Sequence, residues 1–152
     1  MNERGTRTDV PMKPQVVAHE LNKLLSDDAI IATDSGTITT WATRRLDIRG
    51  NMQFPCSGNH ATIACGSPYA NAAEVAFPDR KVICFVGDGG LSMLMCELVT
   101  AVKYNLDIKV VVTKSNTHGT FDWDRTIMVL VEISAAGRTG LGYTCSSTTA
   151  GA

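Results

Sequence analysis

The sequence predicts an α/β fold with a doubly wound, mostly parallel sheet and helices on both of its faces. Short apolar runs without polar alternation, such as KVICFVG at 81–87, are typical of strands that are covered on both sides. These runs alternate along the chain with longer segments of helical character, and such alternation builds parallel sheets through helical crossovers. A chain of 152 residues with 44% hydrophobic and 19% charged residues has the size and composition of one domain.

The first half of the chain predicts two helices and two strands. Segment 13–27 places apolar residues at helical spacing, and Pro14 suits the first turn of that helix. The apolar run at 29–33 predicts a strand, and 37–48 has the length and composition of a second helix. The segment MQFPCSG at 52–58 predicts another short strand.

The second half continues this alternation. Segment 59–79 is rich in small residues, as a helix packed closely on a sheet requires, and Pro68 predicts a kink or a break within it. After the strand at 81–87, the segment at 91–105 predicts a helix with one apolar side. The run DIKVVVT at 107–113 predicts another buried strand.

The composition divides the chain into three parts. We expect a polar arm over 1–10, a folded domain over 11–127 and a divergent tail over 128–152. The tail begins with apolar residues and then consists largely of Gly, Ser, Thr and Ala. We expect its last dozen residues to be disordered, because they show neither a helical nor a strand period.

Charge and cysteine content indicate the class of partner. With 14 basic and 15 acidic residues and no basic stripe, nothing indicates a nucleic-acid partner. The five cysteines form no C-x-x-C pair and lie mostly in apolar segments, which indicates reduced thiols and a cytoplasmic protein. The N-terminus lacks the apolar core of a signal peptide, and no apolar run approaches the roughly 20 residues of a membrane helix. A small-molecule ligand is therefore expected.

A carboxylate and a carboxamide each follow a predicted strand. Asp88 lies in a Gly-Asp-Gly-Gly turn after the 81–87 strand, and Asn116 follows the 107–113 strand. Because carboxyl ends of adjacent parallel strands meet at one edge of a sheet, we expect the two side chains to converge. Their oxygen atoms, with a backbone carbonyl, suit Mg²⁺, whose other ligands would be phosphate oxygens and water.

Glycines surround this carboxylate. Gly87, Gly89 and Gly90 allow the backbone to approach a ligand closely, and the helix expected from about Leu91 directs free N–H groups at an anion. A Gly-Asp-Gly-Gly turn alone is common, and an Asn at a loop start is often only a cap. The joint occurrence of both at matching strand ends favours a site for Mg²⁺ and a diphosphate.

The motif GDG, followed by 25 residues and then SN, resembles the G-D-G…N-N signature of thiamine diphosphate enzymes. The segments DSGTITTWATRRLD, CSGNHATIACGSPYANAAEVAFPDRKV and GDGGLSMLMCELVTAVKYNLDIKVVV are similar to the diphosphate-binding domain of pyruvate oxidases, quinone-linked pyruvate dehydrogenases and acetolactate synthases. This resemblance runs from about Pro11 to Arg125. It implies that family's α/β fold, with thiamine diphosphate and Mg²⁺ as cofactors.

The resemblance also implies roles for individual residues. Asp88 and Asn116 would be side-chain ligands of Mg²⁺, and the backbone carbonyl of His118 would be a third protein ligand. Ile63 would hold the cofactor in its bent shape, although a core position on a helix is an equal alternative. The implied cofactor-binding set is Gly36, Thr37, Ile38, Ile63, Gly87, Asp88, Gly89, Gly90 and Asn116. Phe121 and Trp123 match a helix beside the substrate pocket, and core packing would also explain them.

Several residues depart from the family pattern. Ser115 replaces the first Asn of the motif, and His60, Ser67 and Asn71 stand where apolar residues are usual. Because an unpartnered buried polar group costs roughly 1–3 kcal/mol, we expect these residues to weaken the packing of their helix on the sheet. For His60, exposure near the helix start is the alternative. Glu97 is expected to be solvated or to cap its helix.

The resemblance implies carbanion chemistry on pyruvate or a related 2-oxo acid, with the protein supplying binding and orientation. Family members also have an amino-terminal pyrimidine-binding domain with an activating glutamate, and the oxidases have a middle domain that holds FAD. Neither fits before Pro11, so we expect a fragment that has no catalytic residue of its own and binds no FAD.

Catalysis would then require a pyrimidine-binding domain on another chain, and family members usually form homo-oligomers. One alternative is a non-catalytic binding or assembly module that retains the fold. Another is a nucleotide-binding α/β domain, which is disfavoured because neither G-x-G-x-x-G nor G-x-x-x-x-G-K-[ST] occurs in the sequence.

Overall fold

The structure is a computed structural model of the chain, which divides into two compact units, 1–114 and 115–152. The residues that it describes are 5–8, 10, 12–114, 117–118, 121–122, 127–135 and 138–146. None of the helices in these ranges is long and apolar enough to cross a membrane.

The first unit alternates helices with strands. Its elements in chain order are α1 (Pro14–Leu24), β1 (Ile30–Thr33), α2 (Thr37–Arg45), α3 (Gly66–Ala76), β2 (Val82–Gly87), α4 (Asp88–Met93), α5 (Glu97–Lys103) and β3 (Lys109–Thr113). The strands form one sheet in the order β1-β2-β3, and both pairs are parallel. The predicted α/β class with a parallel sheet is confirmed.

Helices cover both faces of this sheet, as predicted. Successive strand residues point to opposite faces, so Ile31 and Phe85 pack with residues of α1 and α2. Their neighbours Ile30 and Cys84 pack on the other side with residues of α3 and α4, including Ala70. Burial of each large apolar side chain stabilises the fold by about 1.5–3 kcal/mol, so the two clusters fix the helices on the sheet.

The prediction of a strand over 52–58 is wrong in its extent. Only Gln53 forms a parallel bridge with Ile30, although the Thr33 N–H also donates to the Pro55 carbonyl at 3.2 Å. Proline has no N–H to donate, so the ladder cannot continue through residue 55. The segment therefore runs along the edge of β1 as extended chain and forms no strand.

The helix predicted over 59–79 is shorter, because α3 begins only at Gly66. Ala61 and Ala64 in the preceding loop have φ angles of 47° and 71°, and a right-handed helix cannot pass through such residues. Pro68 lies in the first turn of α3, where a backbone N–H has no partner within the helix. Of the two outcomes predicted for this proline, a kink or a nearby break, the structure has the break, because α3 begins two residues before Pro68.

The helix predicted over 91–105 is two helices. Helix α4 starts at Asp88 and ends at Met93, and α5 starts at Glu97. Between them, Leu94 leaves the helical conformation with φ −128° and ψ 40°. Hydrogen bonds between residues three apart, such as Glu97 N–H to the Leu94 carbonyl at 3.0 Å, form a tight turn at this point.

The polar residues of α3 are largely partnered. The Asn71 amide donates to the Glu97 carbonyl at 2.9 Å and to the Glu97 carboxylate at 3.1 Å, so Glu97 joins α3 to α5. Ser67 Oγ lies 3.7 Å from Cys84 Sγ. His60 is exposed in the loop before α3. These contacts reduce the free-energy cost that we expected from polar residues on this helix. Among the described residues, Asn71 Oδ1 still has no hydrogen-bond partner.

The second unit contains two antiparallel pairs. Strand β4 (Thr117–His118) pairs with β5 (Phe121–Asp122), and β6 (Ile127–Ala135) pairs with β7 (Arg138–Ser146). We expected the last dozen residues to be disordered. The structure differs over 141–146, because these residues belong to β7 and pair in register with the apolar strand β6. Residues 147–152 lie outside the described residues, and the predicted domain boundaries stay predictions.

Phe121 lies in β5 and not in the helix that the resemblance implied. The chain pairs with itself at this point, because His118 lies opposite Phe121 in an antiparallel bridge. Trp123 lies outside the described residues.

Gly66→Ala is expected to lower the free energy of unfolding by about 1–3 kcal/mol through overpacking. A Cβ at this residue would lie 2.4 Å from Val86 Cγ1 and 3.1 Å from Asp34 Oδ1. Urea unfolding followed by circular dichroism measures the loss. Gly58→Ala is the control, because a Cβ there would meet no atom within 4 Å. Equal losses in the two variants would contradict the packing argument.

Candidate functional site

The three strands of the first unit end at the same edge of the sheet. Thr33 at the end of β1 lies opposite Phe85 in β2, and Gly87 at the end of β2 lies opposite Thr113 in β3. Ligands of open α/β sheets bind beyond the carboxyl ends of the strands. The loops that follow β1 and β2 therefore form the candidate site in the first unit.

Asp88 is the first helical residue of α4, directly after the end of β2. Its side chain is partly buried, and the preceding Gly87 is extended, with φ −83° and ψ 160°. No side chain caps this end of the helix. The arrangement directs the chain out of the sheet and places a carboxylate at its edge.

Gly90 lies against a carboxyl group of the protein, and its predicted contact with a diphosphate stays a prediction. A Cβ on Gly90 would lie 1.5 Å from Oδ2 of Asp34, so the missing side chain makes room for a carboxyl group of the protein. Gly87 is more open, since a Cβ there would meet only the Thr113 carbonyl, at 4.0 Å. Ser92 Oγ donates to the Gly89 carbonyl at 2.8 Å and closes the first turn of α4.

The loop after β1 is the second part of the site. Gly36 has a φ of 128°, a conformation that side chains disfavour, and open space surrounds it. It precedes α2, whose start also lacks a side-chain cap. Thr37 is exposed, whereas the side chain of Ile38 is buried in the core against α1, which leaves its backbone for a ligand. Ser35 Oγ donates to the Ser57 carbonyl at 2.8 Å and holds this loop.

Ile63 lies in a turn of the loop before α3 and is 43% exposed. This excludes the alternative of a core position on a helix. A large apolar side chain presented on a loop is compatible with a contact to a ligand, and the specific role in holding the cofactor stays a prediction.

The remaining predicted ligands belong to the second unit. Asn116 lies outside the described residues, and His118 is in β4. The predicted convergence of Asp88 with Asn116 therefore stays a prediction. Within the described part of the chain, no three His, Cys, Asp or Glu side chains form a group that could hold a metal ion.

Asp34 is a residue of this edge that the sequence interpretation did not single out. It is only 2% exposed, its Oδ1 accepts the Gly66 N–H at 2.7 Å, and Oδ2 has no partner among the described residues. Burial raises the pKa of this carboxyl group, while the N–H groups of Gly66 and Ala64 act in the opposite direction. The sequence does contain a signal for this residue, because Asp34 follows an apolar strand as Asp88 does.

These residues fit a divalent cation with a bound diphosphate. Asp88 offers hard oxygen atoms, which Mg²⁺ prefers. Two helices, α2 and α4, begin at this edge after a glycine and without a side-chain cap. The backbone at Gly36 and Gly87 is open to a ligand, because a Cβ at either residue would meet no atom closer than 4.0 Å.

Comparison with known proteins gives a consistent set of relatives. A family model, thiamine pyrophosphate enzyme, C-terminal TPP binding domain, matches residues 34–140. YdaP of Bacillus subtilis, described as a thiamine pyrophosphate-containing protein, is 39% identical over 122 residues, which are 80% of this chain and 21% of YdaP. The pyruvate oxidase of Lactiplantibacillus plantarum is 36% identical over 109 residues, which are 72% of this chain and 18% of the oxidase.

The acetolactate synthase isozyme 1 large subunit of Escherichia coli is 38% identical over 95 residues, 62% of this chain and 17% of that subunit. The chain thus spans about a fifth of the length of the curated relatives that it matches. The family match extends to residue 140, beyond Arg125, where the resemblance was expected to fade.

The raised pKa of Asp34 makes stability depend on pH. The folded state holds the proton of the Asp34 carboxyl group more tightly than the unfolded chain does. The stabilisation that Asp34 contributes is therefore complete below the ordinary pKa of an aspartic acid, about 3.9, and is lost as pH rises through the pKa of the folded state. We expect the unfolding free energy of the wild type, relative to Asp34→Asn, to decrease over that range.

Urea unfolding at a series of pH values measures this difference. Burial raises the pKa of the neighbouring Cys84 to about 11, so that thiol stays neutral in acid and contributes nothing. Asp79→Asn is the control, because it removes an exposed carboxylate. It separates the effect of the buried Asp34 from the general pH dependence of folding. A relative stability of the wild type that increases with pH would contradict the prediction.

Proposed function

Because the chain belongs to the thiamine pyrophosphate enzyme family, whose C-terminal TPP binding domain it carries, we propose that it binds thiamine diphosphate through Mg²⁺ at the carboxyl edge of its sheet. The main support is the placement of Asp88. A partly buried carboxylate follows β2 directly, within a glycine turn and at an uncapped helix start.

In this proposal, Asp88 is the Mg²⁺ ligand contributed by the first unit. The backbone of two turns holds the diphosphate. The turn after β2 contributes Gly87, Gly89 and Gly90, and the turn after β1 contributes Gly36, Thr37 and Ile38. Ile63 holds the organic part of the cofactor in shape. The Asn116 side chain and the His118 carbonyl complete the metal ligands, and their assignment rests on the sequence signature alone.

Thiamine diphosphate, when bound, supplies the electron sink for decarboxylation of a 2-oxo acid. We assign no acid or base of this chain to the reaction, so its own contribution is to bind the metal and the diphosphate and to orient them. The substrate class is pyruvate or a related 2-oxo acid, which the names of the relatives pyruvate oxidase and acetolactate synthase support. The chain would work in the cytoplasm as part of an oxidase, dehydrogenase or synthase.

We further propose that a pyrimidine-binding domain on another chain supplies the activating glutamate, within a homo-oligomer of the family type. The support is the family match over residues 34–140. FAD is not part of the proposed site.

Asp88→Ala is expected to abolish Mg²⁺-dependent binding of thiamine diphosphate. Calorimetric titration with and without Mg²⁺ should show binding by the wild type only with the metal. The affinity of Asp88→Ala should be at least about 100-fold lower, because loss of a direct ligand costs at least as much as loss of its supporting groups. Inorganic pyrophosphate should compete with the cofactor, and thiamine should not, if the diphosphate is the group recognised.

Asp79→Ala is the matched control, because it removes an exposed carboxylate in the turn after α3. It should bind like the wild type. Equal affinities of the wild type and Asp88→Ala would remove the metal-site assignment.

A further inference from the structure

We propose that Asp34 is a positioning residue of the cofactor site, whose buried carboxyl group fixes the first turn of α4 relative to the start of α3. This inference rests on the proposed function, because it concerns the turn at 87–90 that would hold the diphosphate. We call this segment the diphosphate turn.

The two oxygens of Asp34 reach two different helices. Oδ1 accepts the N–H of Gly66, the first residue of α3, at 2.7 Å. Oδ2 lies against Gly90 in the diphosphate turn, closer than any side chain at residue 90 would allow. One carboxyl group at the end of β1 therefore touches the first turns of both helices on one face of the sheet.

The backbone of Asp34 extends this connection to the other loop of the site. Its carbonyl accepts a hydrogen bond from Thr39 Oγ1 in the first turn of α2. Gly36, two residues after Asp34, is the glycine that precedes α2. The residue thus lies between the two backbone segments that would hold the diphosphate, and a shift of its side chain would change their separation.

Burial excludes water from this contact. Asp34 is 2% exposed and Oδ2 has no hydrogen-bond partner among the described residues, so the group is held by packing where water would otherwise solvate it. Leaving a buried polar atom without a partner is costly, so such an atom requires an explanation. Glu74 is a useful comparison, because it is also a buried carboxylate of this unit but lies near the far end of α3.

A double-mutant cycle of Asp34→Ala and Gly90→Ala tests the contact. In the wild-type background the new methyl group at residue 90 would meet Oδ2 at 1.5 Å and Cγ at 2.7 Å. In the Asp34→Ala background both atoms are gone, and the nearest atom of residue 34 is Cβ, at an ordinary 3.6 Å. Gly90→Ala should therefore disturb the diphosphate turn only when Asp34 is present.

Two readouts are needed, on the whole chain. The first is the Kd for thiamine diphosphate with Mg²⁺, measured by calorimetry on the four proteins of the cycle. The second is hydrogen exchange of the backbone amides of 88–93 without ligand, which reports on the turn itself. Thermal unfolding identifies any variant that does not fold. If Gly90→Ala does not fold, hydrogen exchange over 88–93 in Asp34→Ala, compared with the wild type, decides the inference.

We expect Gly90→Ala to weaken binding by about tenfold or more in the wild-type background and by less than about twofold in the Asp34→Ala background. Asp34→Ala alone should weaken binding and increase exchange over 88–93. Glu74→Ala, the matched control, should change neither the Kd nor that exchange, because it removes a buried carboxylate that does not contact the turn.

Equal losses from Gly90→Ala in both backgrounds would overturn the inference, because a purely structural role of Asp34 predicts additive effects. Unchanged exchange over 88–93 in Asp34→Ala would overturn it as well. If the wild-type chain binds no thiamine diphosphate, the proposed function fails, and the exchange measurement still decides whether Asp34 holds the turn.

Discussion

Parallel pairing of β1, β2 and β3 is the constraint on which the rest of the structure depends. A parallel ladder requires a crossover between successive strands, and helices α2 and α4 follow the ends of β1 and β2. The Thr33 hydroxyl, which donates to the Phe85 carbonyl at 2.8 Å, adds a side-chain bond to this ladder close to its carboxyl edge. Polar residues that are 54 positions apart, Asp34 and Asp88, thereby follow neighbouring strands.

Small residues allow the helices to approach this sheet closely. Gly66 and Gly90 leave space that atoms of Val86 and Asp34 fill. The turns proposed to hold the diphosphate and the packing of the domain therefore use the same contacts. Under the proposed function, the contacts that pack the domain also pre-organise the site for its cofactor.

The hydrophobic pattern was sufficient to predict the parallel sheet and helices on both faces, because buried strands such as Val82–Gly87 have a distinct composition. It did not predict where helices break. The left-handed residues Ala61 and Ala64 and the turn at Leu94 depend on tertiary packing that periodicity does not report. Asp88 could be singled out from its glycines, whereas the importance of Asp34 depends on contacts with residues distant in sequence.

The contact between residues 34 and 90 has a consequence for the evolution of this domain. A side chain larger than hydrogen at residue 90 requires the carboxyl group of Asp34 to move, or residue 34 to become smaller first. The reverse order passes through an intermediate in which the two side chains compete for the same space. Divergence at this buried pair is therefore epistatic and depends on the order of the two substitutions.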